Sequence, residues 1–479
     1  METSEALDSS LFEELDENGF LLSDFLCEEV AEGAGMEGNA GHESFAEAFY
    51  RSGSDWSCLV QEDLSDLKPE IASSSSKKVV QADLFKLWGL KKPVQSKNET
   101  KLAPSRKRTV DLESIDDQSG RKLLRSSDEI NPNSNQQRTC PFYKKIHGTP
   151  FTVDAFRYGL IEGCAAYFLS HFHYDHYGGL SKKWSHGPIY CTHLTARLVK
   201  LSLSVNPRFI CPMELDTEYI IEGVKVTMLE ANHCPGAALI HFRLKDGRCY
   251  LHTGDFRACR EMQSHPLLMA QMVNVLYLDT TYCNPKYRFP LKEDVVNFVV
   301  RITKSSVAKQ PKTLIVVGAY SIGKEHVYLA ISEALGVQIY VDSSRKRILQ
   351  SYGWSGLDKR LCSDGKSTPL HVLPISSLHP ERLKKYLEAY RHQYLSVLAF
   401  RPTGWTFSEK IGSQLDLIKP NSKGNITIYG VPYSEHSSFT ELRDFVQFLR
   451  PEKIIPTVNV GKAAARDQMH SHFREWLKA

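Results

Sequence analysis

The chain has eleven cysteines in 479 residues, but none of them forms a C-x-x-C pair. The missing pairs argue against a thiolate zinc finger and, with no secretory context, against a disulfide framework. Cys27 and Cys58 lack the cysteine and histidine partners that an N-terminal finger would need. No apolar run reaches 18 residues and no charged-then-apolar leader opens the chain, so the reading is a soluble, unsecreted protein with no membrane partner. Internal repeats are missing too, which removes solenoids and propellers.

What is present is unevenly distributed. Residues 1–70 hold 19 acidic side chains against Arg51 and Lys68, a balance of −17, so the +3 of the whole chain leaves +20 on residues 71–479. A basic body suits a polyanionic partner. Residues 1–137 read as a disordered arm, acidic first and then basic, with "SSSSKK", "SRKRTV" and "NPNSNQQ" and few apolar periodicities. From residue 138 the texture becomes α/β. Short apolar runs ("AAYFLS", "ALIHFRL", "CYLHTG", "NVLYLDT", "TLIVVG", "VQIYVD", "SVLAF", "ITIYG", "KIIPTV") alternate with helical patterns at 324–335, 438–449 and 465–477.

The densest chemistry lies in "YFLSHFHYDHYGGL", where His171, His173, Asp175 and His176 fall within six residues directly after an apolar strand. Side chains two apart at a strand end project to one side. Crowding so many lone pairs without a cation wastes solvation, so the cluster reads as a metal site. "GGLSKKW" is expected to open a helix whose first amides favour an anion beside the metal. His233 in "ANHCPGAAL" and Asp255 in "YLHTGDFR" also sit at strand boundaries, and either alone is an ordinary turn or cap residue.

In that order, HxHxDH, then His, then Asp, the motifs resemble the ligand series of the metallo-β-lactamase fold. The resemblance implies an αββα sandwich with one or two Zn²⁺ at one edge. His171, His173 and His233 would take the first ion, Asp175 and His176 the second, and Asp255 would bridge. Asp154 in "FTVDAF" matches the carboxylate that braces such sites. Asp279 in "YLDTTYC", His436 in "VPYSEHSSF" and Val458 in "IIPTVNV" resemble the β-CASP extension of nucleic-acid-cutting members, with His436 as a further ligand or proton donor. Valine at the last position is the DNA-processing choice, where RNA-processing relatives carry histidine. With "CPFYKKIHGTPFTVDAF" the series, over residues 138–479, is similar to the Snm and Artemis group of DNA cross-link repair nucleases, and most to the Snm type.

The expected organisation is an arm at 1–137, a metallo-β-lactamase domain at 138–283 and 398–479, and a β-CASP domain at 284–397. The expected activity is zinc-dependent phosphodiester hydrolysis, as a 5′ to 3′ exonuclease on single-stranded or damaged DNA with a 5′ end, in the nucleus. Either Asp175 or His436 would handle the proton, with Asp154 and Asp279 in the catalytic set. An Artemis-like endonuclease, a non-catalytic repair scaffold and a small-molecule thioester hydrolase are the alternatives. The intact ligand series disfavours the scaffold, and the long insertion disfavours the last.

"VVGAYSIGKEHV" satisfies GxxxxGK, yet Glu325 stands where a magnesium-binding Ser or Thr would follow, which argues against an ATPase. A glycine turn entering a helix still favours phosphate, which makes Tyr320, Ser321 and Lys324 candidate DNA-backbone contacts or parts of a structural turn. Arg345, Lys346 and Arg347 in "DSSRKRIL" are candidates on charge, and Ser434 by its place in the "YSEHSS" motif. In the arm, Gln81, Leu84, Leu87 and Trp88 have the QxxLxxLW spacing of a box that docks on the replication sliding clamp, although Leu87 replaces the more common aromatic ring. "KKP" at 91 and "SRKR" at 105 are spaced like a two-part nuclear import signal. A peptide of residues 77–92 is expected to bind the clamp, and Leu84→Ala with Trp88→Ala to abolish binding, as read by titration calorimetry. Equal binding of both peptides would return the stretch to a plain hydrophobic patch.

Overall fold

A computed structural model of the chain describes residues 139–270, 272–407 and 414–478. The arm, the clamp-box residues Gln81, Leu84, Leu87 and Trp88, and the basic clusters at 91 and 105 lie outside the described residues. The nine cysteines among the described residues are unpaired. No described helix is long and apolar enough to cross a membrane.

The first sheet runs β1 (Lys145–Ile146), β2 (Phe151–Val153), β3 (Ala166–Phe168), β4 (Ile189–Thr192) and β5 (Ile210–Met213), in that spatial order. The second starts with β6 (Glu218–Ile221), β7 (Val224–Glu230), β8 (Ala238–Arg243), β9 (Cys249–His252) and β10 (Val275–Leu278). Period-two alternation sends each strand's side chains to two different cores. In β3, Ala166 and Phe168 enter one cluster while Tyr167 enters another, and in β8 Ala238, Ile240 and Phe242 divide from Leu239 in the same way. Phe151, Phe168 and Phe242 meet between the sheets with ring centroids 5.2 to 6.0 Å apart. Helices cover the other faces, as where His193–Leu203 packs on β4 and β5. The result is the αββα sandwich that the motifs implied.

A third sheet follows: β11 (Thr313–Ala319), β12 (Ile339–Tyr340), β13 (Leu361–Cys362), β14 (Leu370–Pro374), β15 (Ser396–Pro402), β16 (Asn421–Lys423) and β17 (Ile426–Val431). Its order is β13-β12-β14-β11-β15-β17-β16, parallel except for the β16/β17 hairpin at one edge. Buried throughout, β11 has parallel neighbours on both sides, which is why "TLIVVGA" lacks polar alternation. The expected boundary at 397/398 is corrected here. Strand β15 is wedged between β11 and β17, so the inserted sheet continues to Val431. After it the chain returns, and β18 (Lys453–Pro456) pairs in parallel with β10 at the edge of the second sheet.

Other expectations also change. "GGLSKKW" forms turns rather than a helix, and the single helical turn is Tyr174–Tyr177, which carries Asp175 and His176. Gly179 stops it at φ +101°, where a Cβ would lie 2.4 Å from the Phe156 carbonyl oxygen. The glycine turn at 318–324 holds no phosphate cradle. Gly323 N donates to Glu325 Oε1 (2.9 Å) and Lys324 N to Glu435 Oε1 (3.1 Å), so the protein's own carboxylates take the amides. Lys324 is 1% exposed, with Nζ 2.6 Å from Glu435 Oε2. Tyr320, Ser321 and Ser434 are buried as well. Arg345 is fully buried, its guanidinium donating to the carbonyls of Tyr320 and Ala319. Burial removes these five residues from direct contact with a DNA backbone. Only Lys346, half-buried, and Arg347, exposed, keep surface.

Arg345→Ala is therefore expected to destabilise the fold by about 3 kcal/mol, through unsatisfied carbonyls and a lost charged donor. The urea midpoint measures this, and the salt dependence of DNA affinity of the folded variant should not move.

Candidate metal centre

The centre is built where strand ends from the sandwich meet the chain returning after Val431. His171 and His173 follow β3, Asp175 and His176 sit on the helical turn, His233 lies between β7 and β8, and Asp255 follows β9. Asp279 follows β10, and His436 lies between β17 and the helix Phe439–Leu449. That last helix starts with a capping box: Glu441 N donates to Ser438 Oγ, and Ser438 N to Glu441 Oε2. Arg257 ties the loops together by donating to the Ser434 carbonyl (2.9 Å), the Pro290 carbonyl (2.7 Å) and Glu441 Oε1 (3.0 Å).

The hydrogen-bond partners fix which nitrogen each ring turns inward. His233 Nδ1 donates to the Glu435 carbonyl (2.9 Å), which can only accept, so Nε2 carries a lone pair. Asp279 Oδ2 fixes His436 in the same way through Nδ1 (2.8 Å), while Asp279 Oδ1 accepts from Thr281 N and Oγ1. Ser170 Oγ gives its only proton to Asp154 Oδ2 (2.7 Å) and so accepts from His171 Nδ1 (3.0 Å), freeing His171 Nε2. Asp154 also accepts from Ser170 N (2.8 Å) and His176 Nδ1 (2.7 Å). It does so from a φ of +52°, a strained backbone for a non-glycine residue.

The inward atoms crowd. His173 Nδ1 lies 2.9 Å from His171 Nε2 and 3.1 Å from His233 Nε2. Asp255 Oδ2 lies 3.2 Å from His176 Nε2, 3.7 Å from His171 Nε2 and 3.9 Å from His233 Nε2, between the two groups of rings. Asp175 Oδ2 is 3.1 Å from His176 Nε2, and Asp175 Oδ1 is buried without a hydrogen-bond partner. Ligand atoms of three overlapping sets lie within 4.8 Å of one another: His171, His173, His233 and Cys234; His171, His176 and Asp255; His233, Asp255 and His436.

Such packing needs a cation. Burial, with the neighbouring rings, pushes His171 and His233 well below the usual histidine range, and burial brings His173 to about 4. They are neutral, and one proton on His173 Nδ1 cannot serve two facing lone pairs. Burial also lowers His176, but Asp175, Asp255 and Asp154 outweigh it and hold its imidazolium well above the ordinary value. The neutral nitrogens of His171, His173 and His233, with the carboxylate oxygens and no thiolate required, fit a divalent metal, which would take the place of the His176 proton.

Comparison with known proteins agrees. Residues 355–462 match the family model described as DNA repair metallo-beta-lactamase. The DNA cross-link repair protein SNM1 of Arabidopsis thaliana is 60% identical over 456 residues, covering 91% of each chain. The chain belongs to the metallo-β-lactamase/β-CASP DNA cross-link repair nuclease family. Other members include the Gallus gallus DNA cross-link repair 1A protein, 44% identical over 85% of this chain and 45% of that one. The Gallus gallus 5′ exonuclease Apollo is 32% identical over 69% of this chain and 65% of that one.

Among the ligands expected from sequence, the fold brings together His171, His173, Asp175, His176, His233, Asp255 and His436. The Val458 backbone meets Thr280 Oγ1 (2.7 and 3.2 Å), the residue directly after Asp279. Sequence reasoning missed Ser170, which relays Asp154 to His171, and Cys234 and Glu435. Ser170 directly precedes the histidine cluster and Glu435 directly precedes His436, which was the one signal available.

Asp154→Ala is expected to lower metal affinity about 10- to 100-fold, because both His171 and His176 lose their orientation. Competition with a chromophoric chelator measures the loss.

Proposed function

We propose that the chain is a zinc-dependent 5′ to 3′ DNA exonuclease of interstrand cross-link and other damage repair, acting in the nucleus. The observation that carries the reading is the convergence of pinned imidazole lone pairs and carboxylates in a chain of the DNA repair metallo-β-lactamase family. Nitrogen and oxygen donors without thiolate favour zinc in an open, catalytic arrangement. The 5′ polarity is supported by the relative named a 5′ exonuclease.

His171, His173 and His233 would hold one ion and Asp175 and His176 a second, with Asp255 and His436 as further ligands. Bound metal supplies Lewis acidity toward a phosphodiester and a lowered pKa for water. Asp175 and Asp255 balance only part of the charge of two dications, so the site attracts an anionic phosphodiester. Asp279 keeps the His436 proton on Nδ1, which leaves Nε2 to bind or to take up a proton. Asp154 acts through His176 and Ser170 as a positioning residue. Lys346 and Arg347 are the remaining cations of their group for guiding the strand, and the clamp box would add a docking point in the arm.

Asp175→Ala is expected to reduce cleavage of a 5′-phosphorylated single strand by more than about 100-fold while the melting profile is kept, since it removes a ligand and no core volume. Prolonged chelation should also inactivate the chain and zinc should restore it. Wild-type cleavage by the variant, or full activity in chelator, overturns the reading.

A further inference from the structure

We propose that an aromatic platform beside the metal centre stacks an unpaired nucleobase of the substrate strand, with Trp405 as its outer face. The proposal rests on the nuclease reading above and assigns a recognition element to the same site.

The platform comes from two loops. One follows β10 and carries Tyr282, Tyr287 and Phe289; the other follows β15 and carries Trp405 and Phe407. Tyr282 is buried, its ring edge-on to His436 at 5.9 Å between centroids. From Tyr282 the rings continue outward to Tyr287 (4.6 Å), Phe289 (4.8 Å) and Trp405 (6.3 Å), and Phe407 closes on Phe289 at 5.4 Å. A metal-facing imidazole is thus joined to solvent by an unbroken run of rings. At the outer end of the run Trp405 is 36% exposed, which leaves one ring open to a ligand.

Charge indicates what covers it. Lys286 lies over the Tyr287 ring at 4.8 Å and Arg288 on the same loop is exposed. Alternating cations and ring faces match a strand that alternates phosphates and bases. Two ring contacts separate Trp405 from His436, so a base one or two nucleotides from the phosphate at the metals can reach it. Both loops are held in place before any ligand arrives. Trp405 N donates to Thr403 Oγ1 (3.3 Å) and Thr403 N to the Val431 carbonyl (3.1 Å), while Phe439 N donates to the Tyr287 carbonyl (3.2 Å). A rigid face loses little freedom on binding. Base-paired nucleotides already spend their faces on their neighbours, so the platform selects unpaired ones.

A double-substitution cycle between protein and DNA tests this. The full chain, zinc-loaded, and its Trp405→Ala variant are assayed on 5′-phosphorylated single strands that carry one abasic residue at successive positions from the 5′ end. KM is read from cleavage, and Kd by anisotropy on phosphorothioate strands that resist cleavage, so the cycle does not depend on turnover. In the wild type, an abasic residue at one position near the 5′ end is expected to weaken binding about tenfold. Trp405→Ala should cause the same loss on intact DNA and no further loss on that abasic strand, and Trp405→Phe should restore most of it. Losses that add at every position, or an unchanged Trp405→Ala, overturn the platform. A wild-type chain that binds with this pattern but cleaves nothing would overturn the nuclease reading and leave the platform standing.

Discussion

Four imidazoles turn a nitrogen toward one space because each has its other nitrogen held from behind: His171 by Ser170, His176 by Asp154, His233 by the Glu435 carbonyl and His436 by Asp279. Every other feature of the site depends on this outer ring of acceptors. It decides the tautomers of His171, His233 and His436, keeps the rings from rotating away from one another, and leaves lone pairs that a cation would satisfy. The Asp154 carboxylate holds two of these rings, His176 directly and His171 through Ser170, by accepting three hydrogen bonds at once. Burial alone would raise it, but His176 beside it holds it well below the usual carboxylate range.

Much of this was legible in the residues because metal ligands carry their own chemical label. HxHxDH after an apolar run, a later histidine and a later aspartate identify a metal site, and the resemblance to a known fold supplied the order in which they converge. The buried strands were legible too, above all "TLIVVGA", whose apolar character matches a strand covered on both sides. The helices at 325–335 and 439–449 start within a residue of the positions that the helical patterns indicate.

The rest was hidden by partners far away in the chain. Lys324 and Arg345 look like solvent-facing cations in sequence. The partner of Lys324 lies 111 residues on, and those of Arg345 are backbone carbonyls, which leave no trace in residue identity. Glu435 likewise contributes to the centre through its carbonyl rather than its side chain. The helix expected at "GGLSKKW" fails for another reason: Gly179 is required where the Phe156 backbone passes too close for any Cβ.

Glu435 faces two ways, its carbonyl holding His233 of the sandwich and its carboxylate holding Lys324 of the inserted sheet. One residue thereby ties the insertion to the orientation of a metal-facing ring. A truncation before residue 432 would keep HxHxDH, His233 and Asp255 in sequence, yet lose both His436 and the group that orients His233. Domain shuffling that copied the N-terminal motifs alone would transfer the ligands without the centre.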